Sequence, residues 1–208
     1  MRGLVILGLL LSACSERTPP PGSGSLETTP TGSAAKSPEP SSEAAVLTYP
    51  NGSVAVIDPA KCSVHVLRDG GVRWSQVLAG CAGFLESNVA MDGTLYVRDP
   101  KTLSAFDPGG ALRWAKKLPD GAMSLLLAVP AVLADSRAAI ASAARSVTVF
   151  ERDGAVSWSF SLPSGEELVA PPEGMKTEGL IVTTSRAVYY LSTSGEVHWR
   201  ADSPSRAP

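Results

Sequence analysis

Few residues in this chain could do chemistry. It has three cysteines, Cys14, Cys62 and Cys81, and two histidines, His65 and His198. The cysteines could act as thiol nucleophiles, metal ligands or disulfide partners. The histidines could act as ligands or as proton carriers near neutral pH. A metal site needs converging ligands at characteristic spacings, and the two histidines sit in different parts of the chain and form no such cluster. Ser33-Ala34-Ala35-Lys36 has the order of a serine nucleophile with a lysine base. It stands in a polar stretch with no companion motif, so it is set aside. Asp69, Asp107, Glu151 and Asp153 all lie within three residues of a glycine and read as turn residues, not as general acids or bases. Arg73 and Arg113 read as solvated strand positions. No catalytic, cofactor-binding or metal-binding residue is assigned, no cofactor is implied, and the chain reads as a non-enzyme.

Cys14 has a different context. Met1-Arg2 is a minimal basic start, and Gly3–Leu11 is a nine-residue apolar stretch, too short to span a bilayer as a helix. Leu11-Ser12-Ala13-Cys14 follows, the layout of a secretory leader with small residues at its end. These four residues resemble the bacterial lipobox. That resemblance implies a signal peptide over 1–13, cleavage before Cys14, diacylation of its thiol and acylation of the new amino terminus. Several acyl chains hold a protein on a membrane where one is marginal. Ser15, rather than Asp, follows the cysteine, which by resemblance to enterobacterial sorting implies the outer membrane. With Cys14 lipidated, Cys62 and Cys81 remain as an even pair in an exported domain, which favours a disulfide. Two separate thiols are the alternative, since sequence does not bring their Cα atoms within reach.

Residues 14–45 read as the lipidated cysteine and a disordered tether. Pro19-Pro20-Pro21, Gly22-Ser23-Gly24-Ser25 and Pro38-Glu39-Pro40-Ser41-Ser42 leave too little apolar surface to offset chain entropy. Residues 204–208 read as a disordered tail. The net charge of −2 gives no electrostatic footprint for nucleic acid.

The rest of the chain must supply the fold, and it does so by repetition. Trp74, Trp114, Trp158 and Trp199 are the only tryptophans and stand 40, 44 and 41 residues apart. A glycine lies four residues before each: Gly70, Gly110, Gly154 and Gly195. An aliphatic residue lies two before each: Val72, Leu112, Val156 and Val197. Short apolar runs recur upstream at matching offsets, such as Val54–Ile57 and Leu95–Val97, with turn pairs such as Asn51-Gly52 and Asp92-Gly93 ahead of them. Each unit thus carries about four short strands, and a period near forty residues points to propeller blades. Strand periodicity predicts that each Trp shares a buried face with the aliphatic residue two before it. The large ring is expected to pack between adjacent blades. Leu125–Ala134 is expected to form two short buried strands joined at Pro130.

Ala105-Phe106-Asp107-x-x-Gly110-x-x-x-Trp114 resembles the repeat of pyrroloquinoline-quinone-type (PQQ-like) β-propellers. That family includes quinoprotein alcohol dehydrogenases and the propeller lipoprotein of the outer-membrane β-barrel assembly machinery. The resemblance covers 46–203. It implies an all-β array of four four-stranded antiparallel blades, partial or open, after a signal peptide and tether. The family usually closes with seven or eight blades. A closed four-blade ring, an open arc, a ring completed by a second copy as a homodimer, and a truncated product all stay open. The resemblance implies a cell-envelope lipoprotein, held at the membrane through Cys14, that acts as a non-catalytic scaffold for an envelope protein. The alternative is a quinone-binding remnant or half-propeller of an oxidoreductase.

Overall fold

The computed structural model describes residues 44–79, 81, 83–119, 128–175 and 178–203. The leader, Cys14, the tether up to residue 43 and the tail from 204 lie outside the described residues.

Among the described residues, sixteen strands form four antiparallel sheets, each a simple up-and-down meander. Blade 1 holds β1 (Ala45–Thr48), β2 (Val54–Asp58), β3 (Ser63–Arg68) and β4 (Gly71–Val77). Blade 2 holds β5 (Glu86–Val89), β6 (Leu95–Arg98), β7 (Thr102–Phe106) and β8 (Leu112–Lys117). Blade 3 holds β9 (Ala131–Val132), β10 (Ala138–Ala143), β11 (Ser146–Phe150) and β12 (Val156–Ser161). Blade 4 holds β13 (Glu173–Gly174), β14 (Leu180–Thr183), β15 (Ala187–Leu191) and β16 (Val197–Asp202). The first strands of successive blades touch, β1 with β5, β5 with β9 and β9 with β13. This is the propeller arrangement, with first strands innermost and fourth strands on the rim.

Alternation drives the third strands. β3 buries Val64 and Val66, β7 buries Leu103 and Ala105, and β11 buries Val147 and Val149. β6 is buried along its whole length because a blade covers each of its faces. The core accordingly lies between blades. One cluster joins Ala55, Ile57 and Val64 of blade 1 to Leu95, Val97 and Phe106 of blade 2. A second joins Tyr96 and Leu103 to Ile140 and Phe150 across blades 2 and 3. A third joins Val147 and Val149 to Leu180, Tyr189 and Leu191 across blades 3 and 4. Each fully buried Val or Leu contributes about 1.5–3 kcal/mol, so a blade is stabilised chiefly by its neighbours.

One expectation needs correction. Val72, Leu112, Val156 and Val197 are not buried with the tryptophans; they are 42%, 55%, 59% and 47% exposed. A β-bulge in every blade separates the Trp pair from the pair two residues before it, at Val66/Leu67, Ala105/Phe106, Val149/Phe150 and Tyr190/Leu191. The extra residue breaks the period-two relation. Around Pro130, the two-residue β9 follows the proline as expected and Ala128–Pro130 is irregular; the rest of the expected first strand, 125–127, lies outside the described residues.

Candidate functional site

The recurring Trp and Gly positions meet between blades, not within one. A Cβ placed on Gly110 would lie 2.6 Å from the Trp74 ring of the preceding blade. On Gly154 it would lie 2.8 Å from Trp114, and on Gly195 2.7 Å from Trp158. Only glycine lets the indole rest on the turn backbone, and these three glycines also hold φ of 88°, 85° and 88°, where L side chains are strained. The indole N–H then donates to a carbonyl two residues before the glycine. The pairs are Trp74 Nε1 to Pro108 O (3.2 Å), Trp114 Nε1 to Arg152 O (3.0 Å) and Trp158 Nε1 to Thr193 O (2.8 Å). Trp74 also stacks on Phe106, and Trp114 packs on Phe150.

Charged groups reinforce the later interfaces. Between blades 2 and 3, the Asp92 carboxylate pairs with Arg152 at 2.8 Å and with Arg113 at 3.7 Å. Partial burial would raise the Asp92 carboxyl, but hydrogen bonds from Thr94 and the two arginines outweigh it and hold it below its ordinary value. Tyr96 donates to Ser136 O at 2.7 Å, and burial pushes its hydroxyl up to about 12. Between blades 3 and 4, Arg137 binds Asp135 and Glu151 and donates to Ser157 Oγ and Thr193 O. Within blade 4, the buried Glu166 carboxylate accepts from Thr184 Oγ1 (2.7 Å), Tyr189 OH (2.9 Å) and Arg200 (3.2 Å). Desolvation opposes its charge, yet these donors keep its pKa below the ordinary 4.5. Sequence reading missed this group, because its partners lie 18, 23 and 34 residues away.

Several of the residues singled out in the sequence make contacts within their own blades. Asp107 accepts from the amides of Gly109 and Ala111, and Asp153 from that of Ala155, which are turn roles. His65 bridges Ser63 and Ser75, and His198 stacks on Tyr190. Cys62 and Cys81 form a disulfide with Cα atoms 5.7 Å apart, tying the turn before β3 to the segment after β4. Among the described residues, no three His, Cys, Asp or Glu side chains cluster as a metal site.

What the inner face offers is a groove. It has a volume of about 620 Å³ and runs across the first strands of blades 2, 3 and 4. Val89, Met91, Val132, Leu133 and Met175 line it, with Asn88 as a polar member. Met91 is 73% exposed and Met175 39%. Gly174 lets β13 approach β9, since a Cβ there would collide with the Val132 carbonyl. Exposed, adaptable thioethers on an apolar floor suit a protein segment better than a small polar substrate.

Four meandering blades, first strands innermost and a glycine-seated Trp at each junction define a β-propeller repeat protein of the PQQ-like kind. A family model described as outer membrane protein assembly factor BamB matches residues 50–204, and the chain belongs to that family. Solved structures agree on the fold. Virginiamycin B lyase from Staphylococcus aureus matches with a TM-score of 0.62 and 12% identity, covering 81% of this chain and 58% of that one. BamB from Moraxella catarrhalis matches with a TM-score of 0.51 and 18% identity, covering 73% and 47%. BBS1N, in a complex with ARL6DN, matches with a TM-score of 0.58 and 16% identity, covering 77% and 54%. The chain therefore spans about half to three fifths of the length of these structures. No curated protein matches it. The solved structures include both a lyase and a protein in complex with another protein, so the likeness carries fold and not activity.

Proposed function

We propose that the protein is a lipid-anchored scaffold of the bacterial cell envelope that binds other proteins and catalyses no reaction. The observation that carries this reading is the apolar groove along the inner strands, with Met91 and Met175 exposed on it and turn, packing or bridging roles for the acidic residues and histidines singled out in the sequence. Membership of the family named for an outer membrane assembly factor supports an envelope partner. The BBS1N complex with ARL6DN supports protein binding as a use of this fold. On this reading, residues 1–13 are removed, Cys14 carries the lipid at the outer membrane, the tether expected over residues 14–45 ends before Ala45, which opens β1, and residues 45–203 present the blades. A second copy of the chain is a further partner on this reading. The test is genetic complementation. A strain lacking the protein should regain assembled outer-membrane β-barrel proteins with the wild-type chain, and should regain less than half with Met91→Glu combined with Met175→Glu at equal protein level. Full rescue by the double variant would refute a role for the groove.

A further inference from the structure

Among the described residues, the rim strands β4, β8, β12 and β16 each stand last in their sheet and pair on one side only. Proteins protect such edges with charge or proline. The edge of blade 3 has neither. β12 reads Val-Ser-Trp-Ser-Phe-Ser, whereas β4 carries Arg73, β8 carries Arg113, Lys116 and Lys117, and β16 carries His198, Arg200 and Asp202. The strand is also regular over its outer part. Its bulge leaves Ser157 as the extra residue, and Pro163 follows the strand, so 158–162 is an unbroken stretch centred on Phe160. Leu162 N donates to Arg145 O at 2.9 Å, in the same register as Val147 with Phe160 and Val149 with Trp158. Antiparallel pairing alternates along a strand. The main-chain groups of Trp158, Phe160 and Leu162 therefore turn toward β11, and those of Ser159 and Ser161 turn outward from the edge.

We propose that β12 pairs with β12 of a second copy, antiparallel about a two-fold axis at Phe160, so that the two blade 3 sheets become one. This rests on the reading of a second copy as a partner and assigns the contact. Ser159 of each copy stands opposite Ser161 of the other, and each such pair exchanges both of its main-chain hydrogen bonds. Phe160 meets its counterpart at the non-hydrogen-bonded position between them, where side chains come closest and aromatic pairs stabilise a ladder. Ser159 and Ser161 are exposed and small, so nothing charged is desolvated. The same operation fails on the other rims. On β8 it sets Lys116 against Lys116, and on β4 it sets Gln76, which already donates to Gly110 O, against itself. On β16 it draws in Arg200 and Asp202, and Arg200 is already held by Glu166. The contact joins like surfaces, so it closes at two copies.

The test uses the full chain in detergent micelles, with the protein mass measured by light scattering and detergent subtracted. Wild type should show twice the chain mass at micromolar concentration. Ser159→Lys combined with Ser161→Lys should raise the dimer dissociation constant at least tenfold, and so should Ser159→Glu combined with Ser161→Glu, because each sets like charges opposite one another. Mixing the lysine and glutamate variants should restore dimers, since every lysine then faces a glutamate. Both positions are exposed, so the variants should fold, which circular dichroism checks. Hydrogen exchange of the wild type gives a reading that needs no variant. The Ser159 and Ser161 amides should exchange at least tenfold more slowly in the dimer than after dilution, while the Ala115 amide on the β8 edge is unchanged. A monomeric wild type would overturn both the second-copy reading and the edge contact. A dimer insensitive to both variants, no recovery on mixing, or no slowing at Ser159 and Ser161 would overturn the edge contact alone.

Discussion

Replacing Gly110 with alanine asks the structure two separate questions. The first is backbone strain: at φ of 88°, an L side chain costs about 1–2 kcal/mol. The second is collision: the new Cβ would stand 2.6 Å from the Trp74 ring, and forced overpacking costs about 1–3 kcal/mol. Gly110→Ala should therefore lose about 2–5 kcal/mol. Gly52→Ala, at φ of 81° with nothing within 4 Å of its Cβ, should lose only the strain. The collision is isolated by repeating Gly110→Ala in a Trp74→Ala background, where the ring is gone. There the cost should fall to strain alone, a coupling of about 1–3 kcal/mol. Thermal unfolding followed by circular dichroism reads this as about 2–4 °C per kcal/mol. It should be run at dilutions where the midpoint no longer depends on concentration. If Gly110→Ala costs the same with and without the Trp74 ring, the lock is not what holds blades 1 and 2 together.

Further outcomes follow from the other interactions. Glu166 has a lowered folded pKa, so its contribution is fully present above the ordinary value of 4.5 and is lost as pH falls through the folded value. Urea midpoints of wild type should thus fall more steeply in that acid window than those of Glu166→Gln, which at neutral pH should lose about 1.5–3 kcal/mol. Parallel acid limbs would remove Glu166 from the account. Removing the Cys62–Cys81 disulfide by paired serine substitution should cost about 3 kcal/mol for a loop of this size, read as a lower unfolding temperature. Arg137→Ala should lose about 1–2 kcal/mol through its contacts to Ser157 and Thr193, and an unchanged melting curve would contradict that. Cys14→Ala should move the protein from the membrane to the soluble fraction and abolish palmitate labelling, and persistence in the membrane would refute lipid anchoring at Cys14.

The sequence carried the fold because the lock is sterically one-to-one. A ring on a turn backbone leaves no choice but glycine beneath it, so Gly110, Gly154 and Gly195 keep a fixed distance from the tryptophans of their own blades. The turn at Asn51-Gly52 was legible for a similar reason: the Asn51 side chain accepts from the Ser53 amide, and Gly52 supplies the positive φ. Other features leave no local trace. The bulges that expose Val72, Leu112, Val156 and Val197 arise from pairing with the neighbouring strand, and nothing in the residues themselves signals the extra one. Glu166 reads as a surface acid until blade 4 folds Thr184, Tyr189 and Arg200 around it. Ser136 adopts φ of 69° without being glycine, held where Tyr96 of the preceding blade donates to its carbonyl. The groove was invisible because Val89, Val132 and Met175 come from three blades and form a surface only once the first strands stand side by side.

The most direct test of the scaffold reading is site-specific photo-crosslinking in living cells, with the reactive residue placed at Met91 in the groove and, for comparison, at the exposed Glu196 on the rim. A discrete adduct with one envelope protein is expected from position 91, absent from position 196 and lost when Met175→Glu is added. No adduct from position 91, or the same adducts from both positions, would contradict it.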